Sequence, residues 1–176
     1  MNNKKKSVDV CKNDHRKKVV EDALSNVGSL KWSKFAKRTS FDGKVVFIYT
    51  EFKCNLFVYE MLQKNGVKQD LPNKAGKRAS LFLSKKNNGR PYTASQWYDK
   101  KVPRMTFIGE GLEGLKASCP GDIITDGHHM GIIVGTDKTV SASSRISDLM
   151  QVVSNNWGWR KENYTGKKPV RIFRYN

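Results

Sequence analysis

The chain has 176 residues, 38% of them hydrophobic, a size that suits one domain with a sizeable core. Lysine and arginine outnumber aspartate and glutamate 33 to 16, and the resulting net charge of +17 would draw in polyanions: nucleic acid, anionic lipid or acidic cell-wall polymer. No apolar run approaches the roughly 18 residues of a membrane helix, so no transmembrane segment is expected, and the basic start Met1 to Ser7 lacks the apolar stretch of a signal peptide.

Residues 1–12 read as a loose basic arm and residues 13–176 as a single domain. Asn13 or Asp14 can cap a helix running to about Asn26, with Val19, Val20, Ala23, Leu24 and Val27 as its buried stripe and Gly28 as its stop. Residues 29–43 carry Trp32 and Phe35 among lysines and have no clear pattern. Lys44 to Thr50 is rich in β-formers and fits a strand, or the loop feeding the next element. That element is a helix beginning at Cys54, with apolar or small residues at 54, 57, 58, 61 and 62, and with Gly66 at its end. From Val67 to Pro103 the chain is polar and broken by Pro72, Gly76, Gly89 and Pro91. Ala79 to Leu83 and Thr93 to Tyr98 fit short helical pieces within it.

The C-terminal half changes character. Arg104 to Gly109, Asp122 to Thr125, His129 to Val134, Thr139 to Ala142, Leu149 to Val153 and Val170 to Tyr175 are short β-type runs separated by turn residues. Their spacing predicts an antiparallel meander or small half-barrel, and helices followed by a sheet make an α+β order.

Three cysteines, Cys11, Cys54 and Cys119, show no metal-ligand spacing. A Cys11–Cys119 bridge would leave Cys54 free. A thiol in the first turn of a helix feels the positive end of the macrodipole, which favours the thiolate. Free cysteine is most often an inert buried residue, so Cys54 needs a base to be a nucleophile. Two of the three histidines stand together in Gly127-His128-His129-Met130-Gly131. On a strand they would point to opposite faces, and His129, which opens the β-type run, is the better partner for Cys54. A third group should orient the imidazole. Ser141, across the Gly135-Thr136-Asp137 turn, is the best placed, with Asp126 and Asn156 as substitutes. Lys53 reads as a solvated lysine, and Trp97, Trp157 and Trp159 are candidates to line a substrate cleft.

Three segments together carry a family likeness: Lys53-Cys54-Asn55-Leu56-Phe57-Val58, Pro120-Gly121-Asp122-Ile123-Ile124 and His129-Met130-Gly131-Ile132-Ile133-Val134-Gly135. In this order they resemble the NlpC-type branch of papain-like cysteine peptidases. The wording around Cys54 and the late Asn155-Asn156-Trp157-Gly158-Trp159-Arg160 look most like the amidase effectors that bacteria deliver by type VI secretion. The resemblance spans roughly residues 45–160. It implies a papain-like fold, with Cys54 as nucleophile at a helix N-terminus packed on the antiparallel sheet, His129 as base and Ser141 at the third polar position. That position often holds His, Asp or Asn in the family.

It implies hydrolysis of peptidoglycan stem peptides or cross-links without metal or cofactor. It also implies export without a signal peptide, injection into the target periplasm, a cognate immunity protein, a monomeric state and no nucleic-acid partner. From a different class, the +17 charge with interleaved aromatics suits a non-enzymatic basic protein binding nucleic acid or acidic cell-wall polymer. That alternative leaves the Cys/His order unexplained.

Overall fold

A computed structural model describes residues 11, 13–36, 38–39, 46–47, 52–69, 91–143 and 145–175. The expected turn at Ala79 to Leu83 lies outside them, as do most of the basic arm and most of Lys44 to Thr50. Within the latter run Val46–Phe47 (β2) pairs antiparallel with Arg38–Thr39 (β1).

The first helix, α1 (Asp14–Ser25), starts where the Asn13 side chain accepts the backbone N–H groups of His15 and Arg16. Its buried face is narrower than the apolar pattern suggests. Val19 and Ala23 are fully buried, but Leu24 and Val27 are 44% and 45% exposed. Arg16 takes the next position on that face, because its guanidinium has a buried acid to reach. The second helix, α2 (Cys54–Lys64), is buried from Leu56 to Leu62 without a break, so it is a core helix rather than an amphipathic one. It lies against α1 and the central strands. The short α3 (Ala94–Tyr98) opens with a reciprocal Thr93/Gln96 capping box.

The sheet is antiparallel throughout, with six strands: β3 (Met105–Glu110), β4 (Ile123–Thr125), β5 (Met130–Gly135), β6 (Lys138–Ala142), β7 (Val152–Asn155) and β8 (Arg171–Tyr175). Their spatial order is β3-β8-β4-β5-β6-β7. Four of them make the expected meander, but the last strand inserts between β3 and β4. The chain is thus α+β. Leu149 and Met150 do not join a strand, since both hold left-handed φ values (51° and 53°) after a 3-10 turn, Ile146–Asp148.

Successive residues of β4 and β5 face opposite sides of the sheet. Ile123 and Ile132 enter a large core with α1, α2 and α3. Ile124 and Ile133 enter a smaller one, capped by helices not expected from the sequence: α4 (Gly111–Ala117), a 3-10 turn (Trp157–Trp159) and α5 (Lys161–Thr165). Two-sided burial makes β4 and β5 the rigid centre, since each such side chain contributes about 1.5–3 kcal/mol.

Trp97 belongs to the large core. It is 1% exposed and meets Phe173 edge-to-face at 5.6 Å, so it does not line a cleft. Its indole fills the space between α3 and the sheet, which sequence alone could not distinguish from a substrate wall.

Two ties hold the N-terminal helix to the sheet. Cys11 and Cys119 form a disulfide across a sequence separation of 108 residues, with Cα atoms 5.3 Å apart. Closing a loop of this size stabilises by about 4.7 kcal/mol in the chain-entropy account. Beside it Asp122, fully buried, accepts Arg174 through Nε at 2.8 Å and Nη2 at 2.6 Å, and the Cys119 N–H at 2.8 Å. Arg16 of α1 approaches the same carboxylate at 3.9 Å. The Pro120-Gly121-Asp122 turn is therefore a structural hub. A Cβ on Gly121 (φ +93°) would lie 2.7 Å from Arg16 Cβ. Among the described residues no helix is long and apolar enough to cross a membrane.

Candidate active site

Cys54 is the first residue of α2 and is the free cysteine. It is 7% exposed and opens onto a cavity of about 500 Å³. His129, immediately before β5, lines the same cavity, as do Ser141 of β6 and Trp157. His129 Nε2 and Ser141 Oγ are 3.0 Å apart. The pairing of β5 with β6 (Ile132 opposite Val140) brings the two side chains together. The Trp157 ring stands edge-on to the imidazole at 4.8 Å between centroids, closing one side of it.

The two substitutes for Ser141 are engaged elsewhere. Asp126 Oδ1 accepts the backbone N–H groups of His128 (2.8 Å) and His129 (2.7 Å) and so shapes the turn that presents the histidine. Asn156 Oδ1 accepts Arg160 Nε at 3.1 Å. His128 also borders the cavity, but its side chain is exposed.

Lys53 differs from expectation. It is 2% exposed, and its Nζ donates to the carbonyls of Ser33 (3.0 Å) and Lys34 (3.3 Å). It fastens the segment carrying Trp32 and Lys34, both on the cavity wall, to the start of α2. Trp32 Nε1 adds a 2.7 Å bond to the buried Glu60 of α2. Trp32, Phe52 and Arg145 reach the cavity without any signal in the sequence. Among the described residues no group of three His, Cys, Asp or Glu side chains stands where it could hold a metal ion.

The resting charge state also departs from the helix-dipole expectation. Burial pushes the Cys54 thiol up to about 11, although the backbone N–H groups of Met130, Asn55 and Cys54 itself point at the sulfur and act the other way. Burial pulls His129 down to about 4; Arg145 acts in the same direction, and Asp126 and Asp148 oppose it. At neutral pH the pair is a thiol and a neutral imidazole. Desolvation outweighs the dipole here, because taking a charge out of water costs more than one helix terminus returns. A hydroxyl that accepts from Nε2–H would leave Nδ1 as the basic nitrogen; the 3.0 Å contact is equally compatible with the other tautomer.

Two expectations follow. A base that stays neutral to about pH 4 keeps kcat/KM level through pH 6.5 and loses it only toward 4. An inflection at the ordinary histidine value would overturn the neutral-imidazole state. The linked stability change has a definite sign. The unfolded chain gains the His129 proton near 6.5 and the folded chain only near 4, so this contribution is complete above 6.5 and lost as pH falls across that window. Comparing unfolding of the wild type with that of His129→Gln isolates it.

For Ser141→Ala, one neutral hydrogen bond is removed from a preformed site. The expected loss is about 3- to 10-fold in kcat with the fold retained. A steady-state assay beside a thermal melt checks this, and an unchanged kcat would remove Ser141 from the site.

Compared with protein-family models, curated proteins and solved structures, the chain finds no match among any of the three.

Proposed function

We propose that this chain is a cysteine amidase or endopeptidase that hydrolyses peptide bonds of bacterial peptidoglycan, with the papain-like NlpC-type fold its motifs resemble, and that it acts as an injected antibacterial effector. The observation that carries the reading is the shared cavity: a helix-terminal thiol and a Ser-anchored imidazole open onto one cleft of about 500 Å³.

In the proposed reaction Cys54 Sγ attacks the amide carbon while its proton passes to His129 Nδ1. The tetrahedral oxyanion forms near the N–H groups that start α2, which serve as its hydrogen-bond donors. The imidazolium returns the proton to the leaving nitrogen, the C–N bond breaks, and a thioester remains. Water, losing a proton to His129, then hydrolyses the thioester and restores the thiol. Beginning from neutral partners means that charge separates only as attack proceeds. Ser141 stabilises the imidazolium by accepting a hydrogen bond from its Nε2–H.

The disulfide fits work in an oxidising compartment such as the periplasm. The charge of +17 would keep the protein close to anionic wall polymer. The test is digestion of purified Gram-negative sacculi, with released muropeptides read by mass spectrometry. Loss of one defined amide is expected with the wild type. Intact sacculi under conditions where the protein is folded would overturn the proposal.

A further inference from the structure

The loop that follows β6 presents a cation that the reaction above does not use. Its backbone is tightly held. Arg145 N–H donates to Ser143 Oγ at 3.1 Å, and the Arg145 carbonyl accepts Asp148 N and Met150 N, both at 3.1 Å. Ser143 Oγ in turn donates to Asp148 Oδ2 at 2.5 Å, and Ser143 N donates to Gln151 O at 3.0 Å. The side chain is the opposite case. It is exposed on the cavity wall, and among the described residues its guanidinium has no hydrogen bond and no ion pair. The acid closest along the loop, Asp148, is committed to Ser143.

Cations dominate this wall. Lys34, Lys53, Arg145 and Arg160 line the cavity against Asp126 and Asp148. Asp126 is committed to two backbone N–H groups, Lys53 to two carbonyls and Arg160 to Asn156. Lys34 Nζ lies over the Phe52 ring, 4.9 Å from its centroid. Among the described residues the cation that faces the cleft without a hydrogen bond, ion pair or ring contact is therefore the Arg145 guanidinium, a planar five-donor fork on a fixed backbone, suited to a carboxylate.

We infer that Arg145 is a specificity residue that binds a free carboxylate of the substrate beside the scissile amide. The inference rests on the reading of this cavity as an amidase site. It deepens that reading by requiring an acidic peptide substrate. Binding would also neutralise the cation that disfavours the His129 imidazolium, so the substrate itself would ease the proton transfer. In a peptidoglycan stem two groups supply this chemistry: the α-carboxylate left free by a γ-linked D-glutamate, and the free carboxylate of diaminopimelate.

The experiment uses purified muropeptides in three forms: both carboxylates free, glutamate α-amidated, and diaminopimelate amidated. Cleavage is measured with the wild type, Arg145→Gln and Arg145→Lys. The wild type should lose on the order of tenfold in kcat/KM, mostly through KM, when the recognised carboxylate is amidated. Arg145→Gln should cleave the free and that amidated form alike, while Arg145→Lys retains part of the preference. The amidated form that suffers identifies the source. Equal cleavage of all forms by the wild type, or an undiminished preference in Arg145→Gln, overturns the inference. Calorimetric binding of the same muropeptides to Cys54→Ala, with and without Arg145→Gln, separates the two ideas. Carboxylate-dependent binding without cleavage by the wild type sinks the amidase reading and keeps the Arg145 site. Binding that ignores the carboxylate and Arg145 sinks the site.

Discussion

Replacing Cys54 by alanine is expected to abolish cleavage of sacculi while leaving a folded protein. The change removes one sulfur atom from the first turn of a helix whose burial runs from Leu56 to Leu62, so the packing of α2 on the sheet survives. The N–H groups directed at the sulfur lose only a weak acceptor. A stability loss of about 1–2 kcal/mol is expected, within reach of a thermal melt. Activity should fall by a factor on the order of 10⁴ to 10⁶, because the thiol that forms the proposed covalent intermediate is gone. Muropeptide release by mass spectrometry, beside a melting curve for each protein, checks both halves. Wild-type release by folded Cys54→Ala would remove the thiol from the mechanism.

Gly131→Ala should damage stability and activity together. Gly131 lies two residues after His129 on β5, against β6. A Cβ there would stand 2.8 Å from Thr139 Cγ2, 2.8 Å from the Val140 carbonyl oxygen and 3.0 Å from Ser141 Cβ. A backbone carbonyl cannot swing aside as a side chain can, so β6 must move as a whole. Overpacking of this kind costs about 1–3 kcal/mol. In a chain this long that lowers Tm by roughly 2–12 °C. The strand that moves carries Ser141, so the 3.0 Å contact with His129 opens as well. Loss of activity should therefore equal or exceed that of Ser141→Ala. Gly135→Ala is the control on the same strand, since nothing lies within 4 Å of a Cβ at that position. Equal melting temperatures for the two variants would show that β6 accommodates the methyl group and that the close approach is not required.

The two variants probe different kinds of information. Cys54 could be singled out as a candidate nucleophile from local pattern: apolar recurrence opens a helix at 54, and a cysteine stands at its start. His129 and Ser141 were legible because strand alternation assigns faces and the short Gly135-Thr136-Asp137 turn makes β5 and β6 neighbours. The Asn13 cap, the Thr93 to Tyr98 helix and the antiparallel strands were legible for the same reason, since each depends on residues within a few positions.

Some departures are local, such as the left-handed Leu149 and Met150 and the short helices α4 and α5; the others concern long-range partners. Leu24 and Val27 follow the apolar period of α1 but remain exposed, because Asp122 draws Arg16 to the buried face from 106 positions away. Lys53 is buried because the Ser33 and Lys34 carbonyls fold over it. Trp97 enters the core and Trp157 the cavity, a choice set by the elements packed around each. The final strand enters the middle of the sheet rather than its edge, which no count of turn residues specifies.

By itself, then, the sequence determined the helix that starts at Cys54 and the strands that carry His129 and Ser141 to one another, the chain order of thiol, imidazole and hydroxyl, and the basic character of the whole. Only the tertiary structure decided that Cys11 bonds to Cys119, that Arg145 faces the cleft without a partner among the described residues, and that the thiol and the imidazole rest uncharged. The physical reason is that periodicity and capping act through neighbours along the chain. Desolvation and ion pairing depend on what surrounds a group in space, and that is known only once distant segments have packed.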